Sequence, residues 1–388
     1  MRRSSRVAAR STSPSSNRVE DKPTSTHPHA SWAQKDGFSK YITASIAACR
    51  PKSLTAAVVP FAVGTALSFT ESDGSLNRWH HALPAFAGYI LMQIGCNLVN
   101  DSCDFTRGAD TNNRTGPVRV SQAGVFKAST VHKVGVACLL LAFIAMLPAG
   151  LQLEWIGNEV DMTNCPVAFE VNYPIIVLTV LSCLAAYLYT GGPYPLGYHG
   201  LGDVTVVLFF GIVATGLMRA TLLGMDGVGA VSHLNSFRNL FTHRVLLSGI
   251  QTGCLATVLL AVNNIRDVKT DKRARKKTLA VIYGADFVKR EIYFLLAVAY
   301  VFSLAWCVRV NTAARSGAWV TLVPSYVNIL PLATLPLALN IARRVRKVQP
   351  GDRKCNEILA TAALCHFCFG GLLALGIWLD KAHGDERR

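Results

Sequence analysis

From about residue 53 onward the chain is a succession of long apolar runs separated by charged loops. Runs of the length needed to cross a bilayer, about 17–25 residues, fall near 53–70, 81–100, 131–151, 173–190, 203–223, 244–264, 291–308, 318–341 and 357–379. They lack the polar face of a helix packed on a soluble core and the two-residue alternation of a barrel strand. An unpaired backbone cannot face lipid, so each run predicts a helix. The pattern therefore predicts an all-α integral membrane protein with about nine transmembrane helices.

Composition agrees. Hydrophobic residues make up 51% of the chain and charged residues 16%, whereas about a quarter of a typical soluble domain is charged. The net charge of +16 is distributed by loop. Ten Lys and Arg precede the first run, and nine lie between 265 and 290. The stretch 151–172 has no base and holds Glu154, Glu159, Asp161 and Glu170. Basic loops mark the cytoplasmic-equivalent side, which places the N-terminus and the loops after the second and sixth runs there. Trp79, Trp155, Trp306, Trp319 and Trp378 then fall at the opposite ends of their runs, as an interfacial belt would. The charge reads as topology and attraction to anionic lipid and diphosphate, with no nucleic-acid footprint.

Residues 1–40 form a different material, rich in Arg and Ser and acid-free before Glu20. Such a segment cannot build a core. An organelle transit peptide and a plain basic tail both fit it, so mitochondrion or plastid stays open against plasma or endoplasmic reticulum membrane. Residues 41–382 read as one membrane domain and 383–388 as a polar tail. The eleven cysteines are scattered and odd in number, which argues against a disulfide framework. Cys365-His-Phe-Cys368 lies inside the last run, and buried thiols acting as small hydrophobes explain it best.

Chemistry concentrates at two helix ends. Asn97-Leu-Val-Asn100-Asp101-Ser-Cys-Asp104, followed by Asp110, closes the second run; Asn263-Asn264-Ile-Arg-Asp267, followed by Asp271, closes the sixth. Residues three and four apart share a helix face, so Asn264, Asp267 and Asp271 form one stripe, and Asn100 and Asp104 another. Carboxylates at a membrane edge are costly unless something binds them. Their donors are all hard oxygens, a set that selects Mg²⁺, or Mn²⁺, over zinc. Magnesium usually takes one or two carboxylates and completes its shell with water and substrate phosphate. Asp101, Asp104, Asp110, Asp267 and Asp271 are the candidate metal ligands. Arg107, Arg114 and Arg119 beside one cluster, and Arg266, Lys272, Arg273 and Lys277 beside the other, suit the remaining phosphate charge. Four runs separate the two motifs, consistent with a duplicated four-helix unit.

These residues resemble a known family. Asn100-Asp-x-x-Asp-Phe-x-x-Gly-Ala-Asp110 with Thr115-Gly-Pro-Val-Arg119 is similar to the first motif of the UbiA-type membrane prenyltransferases. It is nearest the branch acting on 1,4-dihydroxy-2-naphthoate in menaquinone synthesis. Arg50-Pro-x-Ser53, the stretch Tyr187-Leu-Tyr-Thr-Gly-Gly-Pro-Tyr-Pro-Leu196 running into Gly200-Leu-Gly-Asp203, and Asn263 to Asp271 with Lys277-Thr-Leu-Ala280 agree with that branch. The resemblance spans about 45–380. Ser102-Cys103, where bulky aromatics are common, and a more basic 272–277 depart from the pattern without removing a ligand.

The resemblance implies a helix bundle around a central cavity, with polar cap loops over the Asp motifs and the prenyl tail among apolar side chains. It implies that Asn100, Asp104, Asp110, Asn264, Asp267 and Asp271 handle metal and diphosphate, with Lys277 beside them. Arg50, Arg107, Arg119, Tyr187, Tyr189 and Arg266 are candidate substrate contacts. The implied partners are a prenyl diphosphate, an aromatic acceptor and the bilayer. The competing acceptors are a preformed naphthoquinone, homogentisate and 4-hydroxybenzoate. A cation-coupled transporter also combines repeats with intramembrane carboxylates, but its charges belong near mid-membrane. Non-catalytic lipid binding would show diphosphate binding without turnover.

Overall fold

The computed structural model describes residues 37–72, 79–111, 114–155, 167–223, 240–306, 308–313, 317–322 and 325–385. Most of the basic extension read at 1–40, and most of 224–243 between the fifth and sixth apolar runs, lie outside the described residues. Ten principal helices run in order: α1 (Gly37–Ala48), α2 (Thr55–Glu71), α3 (Ala82–Thr106), α4 (Ala128–Gly150), α5 (Tyr173–Leu188), α6 (Gly202–Leu223), α7 (His243–Arg273), α8 (Ala285–Ala305), α9 (Leu335–Lys347) and α10 (Cys355–Asp385). Among the described residues, α3 with its leading turn, α4, α6, α7 and α10 are each long and apolar enough to cross a membrane. A sixth crossing arises if α1 and α2 count as one bent rod, and α5 is a shorter apolar helix.

The 51° bend between α1 and α2 follows from local sequence. Arg50 adopts a left-handed backbone (φ 51°), and the α conformation is disfavoured for a residue preceding proline, here Pro51. The 3₁₀ turn Pro51–Ser53 then restarts the chain into α2.

Four features differ from the sequence reading. The apolar stretch read as a span at 318–341 begins instead as a strand: Gly317–Leu322 pairs antiparallel with Val308–Ala313. Helix resumes only at Tyr326–Ile329, passes through a 3₁₀ segment at Leu330–Thr334 and continues as α9. Alternation over Trp319-Val-Thr-Leu suits a strand, and Pro331 and Pro336 interrupt regular helix. A second hairpin, Leu151–Trp155 with Val167–Val171, occupies the interruption between α4 and α5. Helix also begins at Gly37, ahead of the domain start read at 41, and α10 runs on to Asp385.

Bare backbone contacts bring the central helices close. A Cβ on Gly211 of α6 would lie 2.1 Å from the Gly249 carbonyl oxygen and 2.8 Å from Gly253 Cα, both on α7. Small residues permit such approach where no hydrophobic force drives helices together. Gly211 lies in a π-helical stretch, Val207–Val213, a geometry frequent at functional sites. One core joins α2, α7, α8 and α10 through Leu67, Ile265, Ile292 and Phe369; a second joins α3 to α6 through Tyr89, Met146, Leu178 and Met218.

Candidate active site

The two Asp-bearing helix ends meet. Arg114, in the loop after α3, donates from Nη1 to Asp110 Oδ1 at 2.5 Å and from Nη2 to Asp267 Oδ2 of α7 at 3.2 Å. Lys276, just past α7, places Nζ 3.2 and 3.3 Å from the two Asp104 oxygens of α3. The clusters are thus cross-linked by bases that each belongs to the other's neighbourhood. Burial pushes the Asp110 carboxyl up, against the pull of Arg119 and Arg114. For Arg114, burial opposes the charge, but Asp267 and Asp110 outweigh it and raise its affinity for the proton. Lys276 follows the same pattern: burial lowers, and Asp104 and Asp271 more than compensate.

Each predicted residue has a definite place. Arg119 donates to Asn100 Oδ1 at 2.9 Å and Asp104 Oδ2 at 3.3 Å, and makes a 3.0 Å ion-pair contact with Asp110 Oδ2. Arg266 grips Asp267 at 2.8 and 2.7 Å, while its Nη1 reaches Asn356 of α10 at 2.9 Å. Asp271 and Asn264 are buried and line the cavity, and among the described residues neither side chain carries a hydrogen bond or ion pair.

Below this cap lies a cavity of about 490 Å³. Its upper wall is made by Asn100, Arg114 and Arg119 from the first cluster and Asn264, Arg266, Asp267, Asp271 and Lys276 from the second. Arg50 and Tyr189 line it as well. A smaller apolar recess lined by Tyr89, Met92, Met146 and Phe209 adjoins it; the two share Ala56, Gln93, Cys96, Tyr189 and Phe210.

Four predicted residues play other parts. Asp101 lines the cavity and at the same time accepts the backbone N–H of Val120 and of Ser121, each at 3.2 Å, one per oxygen, which ties the loop down. Arg107 donates to the carbonyls of Thr190 and Gly192 and stays out of the cavity wall. The Tyr187 ring packs edge-on to His132, centroids 5.8 Å apart, rather than facing the cavity. Lys277 is exposed and donates its backbone N–H to the Tyr198 carbonyl at 3.0 Å; the adjacent Lys276 is the base that turns inward. A run of consecutive bases carries no sign of which one faces in, because a turn breaks the helix there: Arg275 has φ 56°.

Sequence reasoning also passed over Tyr198. Its hydroxyl donates to Asp104 Oδ1 at 2.8 Å, with Arg107 and Lys276 over its ring at 5.0 and 5.2 Å. Burial and the Asp104 charge hold its phenol well above the usual tyrosine range. The signal was the glycine-rich stretch itself. Gly197 lacks a side chain where a Cβ would sit 3.0 Å from the Tyr189 carbonyl, and Gly200 takes φ +74°. That tight turn delivers Tyr198.

Among the described residues, no three His, Cys, Asp or Glu gather closely enough to form a ready metal cage. Magnesium does not require one, since phosphate and water complete its shell. The partnerless, cavity-facing Asp271 carboxylate one helical turn from Asp267, with the Asn264 amide on the same face, is a hard-oxygen set that fits the ion.

Long apolar helices around a cavity closed by an acidic and basic cap define a multi-pass integral membrane protein. Residues 57–360 match the UbiA prenyltransferase family, and the chain belongs to that family: it is a prenyltransferase. It is 33% identical over 331 residues to the 1,4-dihydroxy-2-naphthoate octaprenyltransferase of Haemophilus influenzae, covering 84% of this chain and 93% of that one. Its identity to the Mycobacterium tuberculosis protein of the same name is 32%, covering 85% and 97%. The fold resembles that of a UbiA homolog from Archaeoglobus fulgidus bound to DMAPP and Mg2+, with a TM-score of 0.51 at 14% identity, covering 86% of this chain and 99% of that one.

Proposed function

We propose that the chain transfers a polyprenyl group from a prenyl diphosphate to 1,4-dihydroxy-2-naphthoate, with loss of the carboxylate as CO₂. The hydroquinone so formed gives demethylmenaquinone on oxidation. The names of the Haemophilus and Mycobacterium relatives support the acceptor. The observation that carries the reading is the bridge Asp110–Arg114–Asp267 beside the pair Asp104–Lys276: both helix ends serve one pocket, as a shared diphosphate requires.

In this reading Asp267 and Asp271, with Asn264, Asp104 and Asp110, would hold Mg²⁺ with the diphosphate. When bound, the ion supplies Lewis-acid neutralisation of charge on the departing diphosphate. Arg114, Arg119, Arg266 and Lys276 add preorganised positive charge at the same oxygens, which favours heterolysis of the allylic C–O bond. Tyr198 and Asp104 hold Lys276 in place. Apolar walls around Met92, Phe209 and Phe210 receive the prenyl tail and keep water from the allylic cation. Arg50 and Tyr189 face the acceptor. The C–O bond ionises first, with its electron pair leaving on the diphosphate; the ring carbon then attacks the allylic cation, and CO₂ departs with its bonding electrons left in the ring.

Nine crossings follow if α2, α3, α4, α5, α6, α7, α8, the broken rod 326–347 and α10 all span, with the cap on the cytoplasmic-equivalent side. The test is incubation of purified protein with Mg²⁺, a prenyl diphosphate and dihydroxynaphthoate, homogentisate, 4-hydroxybenzoate or a naphthoquinone in turn. Mass spectrometry should find prenylated, decarboxylated naphthoquinol. A product from another ring alone would redirect the acceptor.

A further inference from the structure

His366 is the middle of the Cys365-His-Phe-Cys368 stretch, in the interior of α10, and it does not behave as a structural histidine. It is 1% exposed, yet its Nε2 has no hydrogen-bond partner. Buried ring nitrogens are ordinarily satisfied at both positions. The side chain lines the large cavity on the same face of α10 as Asn356, Leu359 and Ala363. Ten residues separate it from Asn356, which touches the cap through Arg266. At the helical rise this sets His366 about 15 Å further into the membrane domain. Cys365 turns the other way, 3.7 Å from the Tyr300 hydroxyl.

The tautomer is assigned from the neighbouring hydrogen bonds. Nδ1 lies 3.5 Å from Thr55 Oγ1, and that hydroxyl is directed to the Lys52 carbonyl at 3.4 Å. A hydroxyl has one proton to donate. Thr55 therefore accepts from Nδ1–H, and Nε2 is the ring nitrogen left without a partner, on a side chain that lines the cavity. Nearby, Gln93 and Asn97 both donate their amide nitrogens to Ser53 Oγ, at 3.4 and 3.0 Å. That leaves Gln93 Oε1 buried without a partner. Arg50, at the α1–α2 bend, has only a 3.5 Å contact to the Asn97 carbonyl and no ion-pair partner among the described residues. One end of the cavity thus offers hydrogen-bond acceptors and a cation, a surface complementary to a hydroxylated aromatic acid.

We propose that His366 Nε2 accepts the hydrogen bond of a ring hydroxyl on the aromatic acceptor, making α10 a specificity wall of the acceptor subsite. This rests on the naphthoate reading above and deepens it. A hydrogen bond accepted from the hydroxyl holds the ring in one orientation and raises electron density at the attacking carbon. A quinone or an O-alkylated ring has no proton to offer and leaves Nε2 unpaired.

The test compares His366→Asn with His366→Gln. The asparagine amide reaches the Nδ1 position and keeps the Thr55 contact; the glutamine amide reaches the Nε2 position. With dihydroxynaphthoate and geranyl diphosphate, His366→Asn should lower kcat/KM for the acceptor at least tenfold and leave KM for geranyl diphosphate within twofold. His366→Gln should recover most of the loss. The preference of the wild type for a free ring hydroxyl over its methyl ether should shrink in His366→Asn. An unchanged acceptor KM in His366→Asn, or an equal fall in both variants, overturns the proposal. If the wild type prenylates a different hydroxylated ring, the naphthoate reading fails, and the same comparison on that ring decides the role of His366.

Discussion

The two acidic motifs look like copies of one another in sequence and do different work in the fold. At the end of α3, Asp101 is consumed by loop amides and Asp104 is held by Tyr198, Arg119 and Lys276. What that motif presents to the cavity is Arg114, Arg119, the Asn100 amide and Asp101, whose oxygens already hold two loop amides. At the end of α7, Asp267 and Asp271 themselves face the cavity, and Asp271 has no partner among the described residues. In the first half the carboxylates Asp104 and Asp110 are paired with bases, and in the second Asp271 is left free. Equal spacing of Asn and Asp does not imply equal roles; which oxygen remains free depends on the loop that follows.

That asymmetry can be broken by mutation. The largest effects belong to Asp267→Ala and Asp104→Ala, each removing at least about a hundredfold of kcat. Melting curves in detergent should show that both variants remain folded. Near-normal turnover in either would contradict its role. Lys276→Met should cost about a hundredfold, whereas Lys277→Met, at an exposed position, should stay within about twofold. Reversed results would mean that the wrong base has been placed at Asp104. Tyr198→Phe removes one hydrogen bond to a charged group, about 1.5–3 kcal/mol, and should lower kcat/KM roughly tenfold or more while the fold persists. Asp101→Ala sharpens the contrast from the other side. It should lower stability by about 1–3 kcal/mol through two unpaired amides, while diphosphate affinity at low temperature holds within about threefold. A selective loss of Mg²⁺ dependence in that variant would return Asp101 to the metal set.

Much of this was legible beforehand. Apolar run lengths located the helices, and oxygen-only motifs at two span ends located the cap, because both are properties of composition at a fixed period. What escaped is set by backbone turns and tertiary partners. Lys276 and Lys277 are indistinguishable until the turn at Arg275 aims one of them inward. Asp101 reads as a ligand until Val120 and Ser121 fold back onto it. The strand at 317–322 was hidden because its apolar residues run on into those of the helical segment from Tyr326, and a short apolar stretch suits either helix or strand. His366 read only as part of a buried thiol pair, since an unpartnered nitrogen is visible only once its neighbours are in place.

The claim on which the rest depends is that both helix ends grip a single diphosphate. Titration calorimetry of a prenyl diphosphate with Mg²⁺ into the wild type, Asp104→Asn and Asp267→Asn measures it directly. One equivalent should bind the wild type, and either substitution should weaken that same equivalent by at least about tenfold. Two independent equivalents, each lost with a different variant, would contradict it.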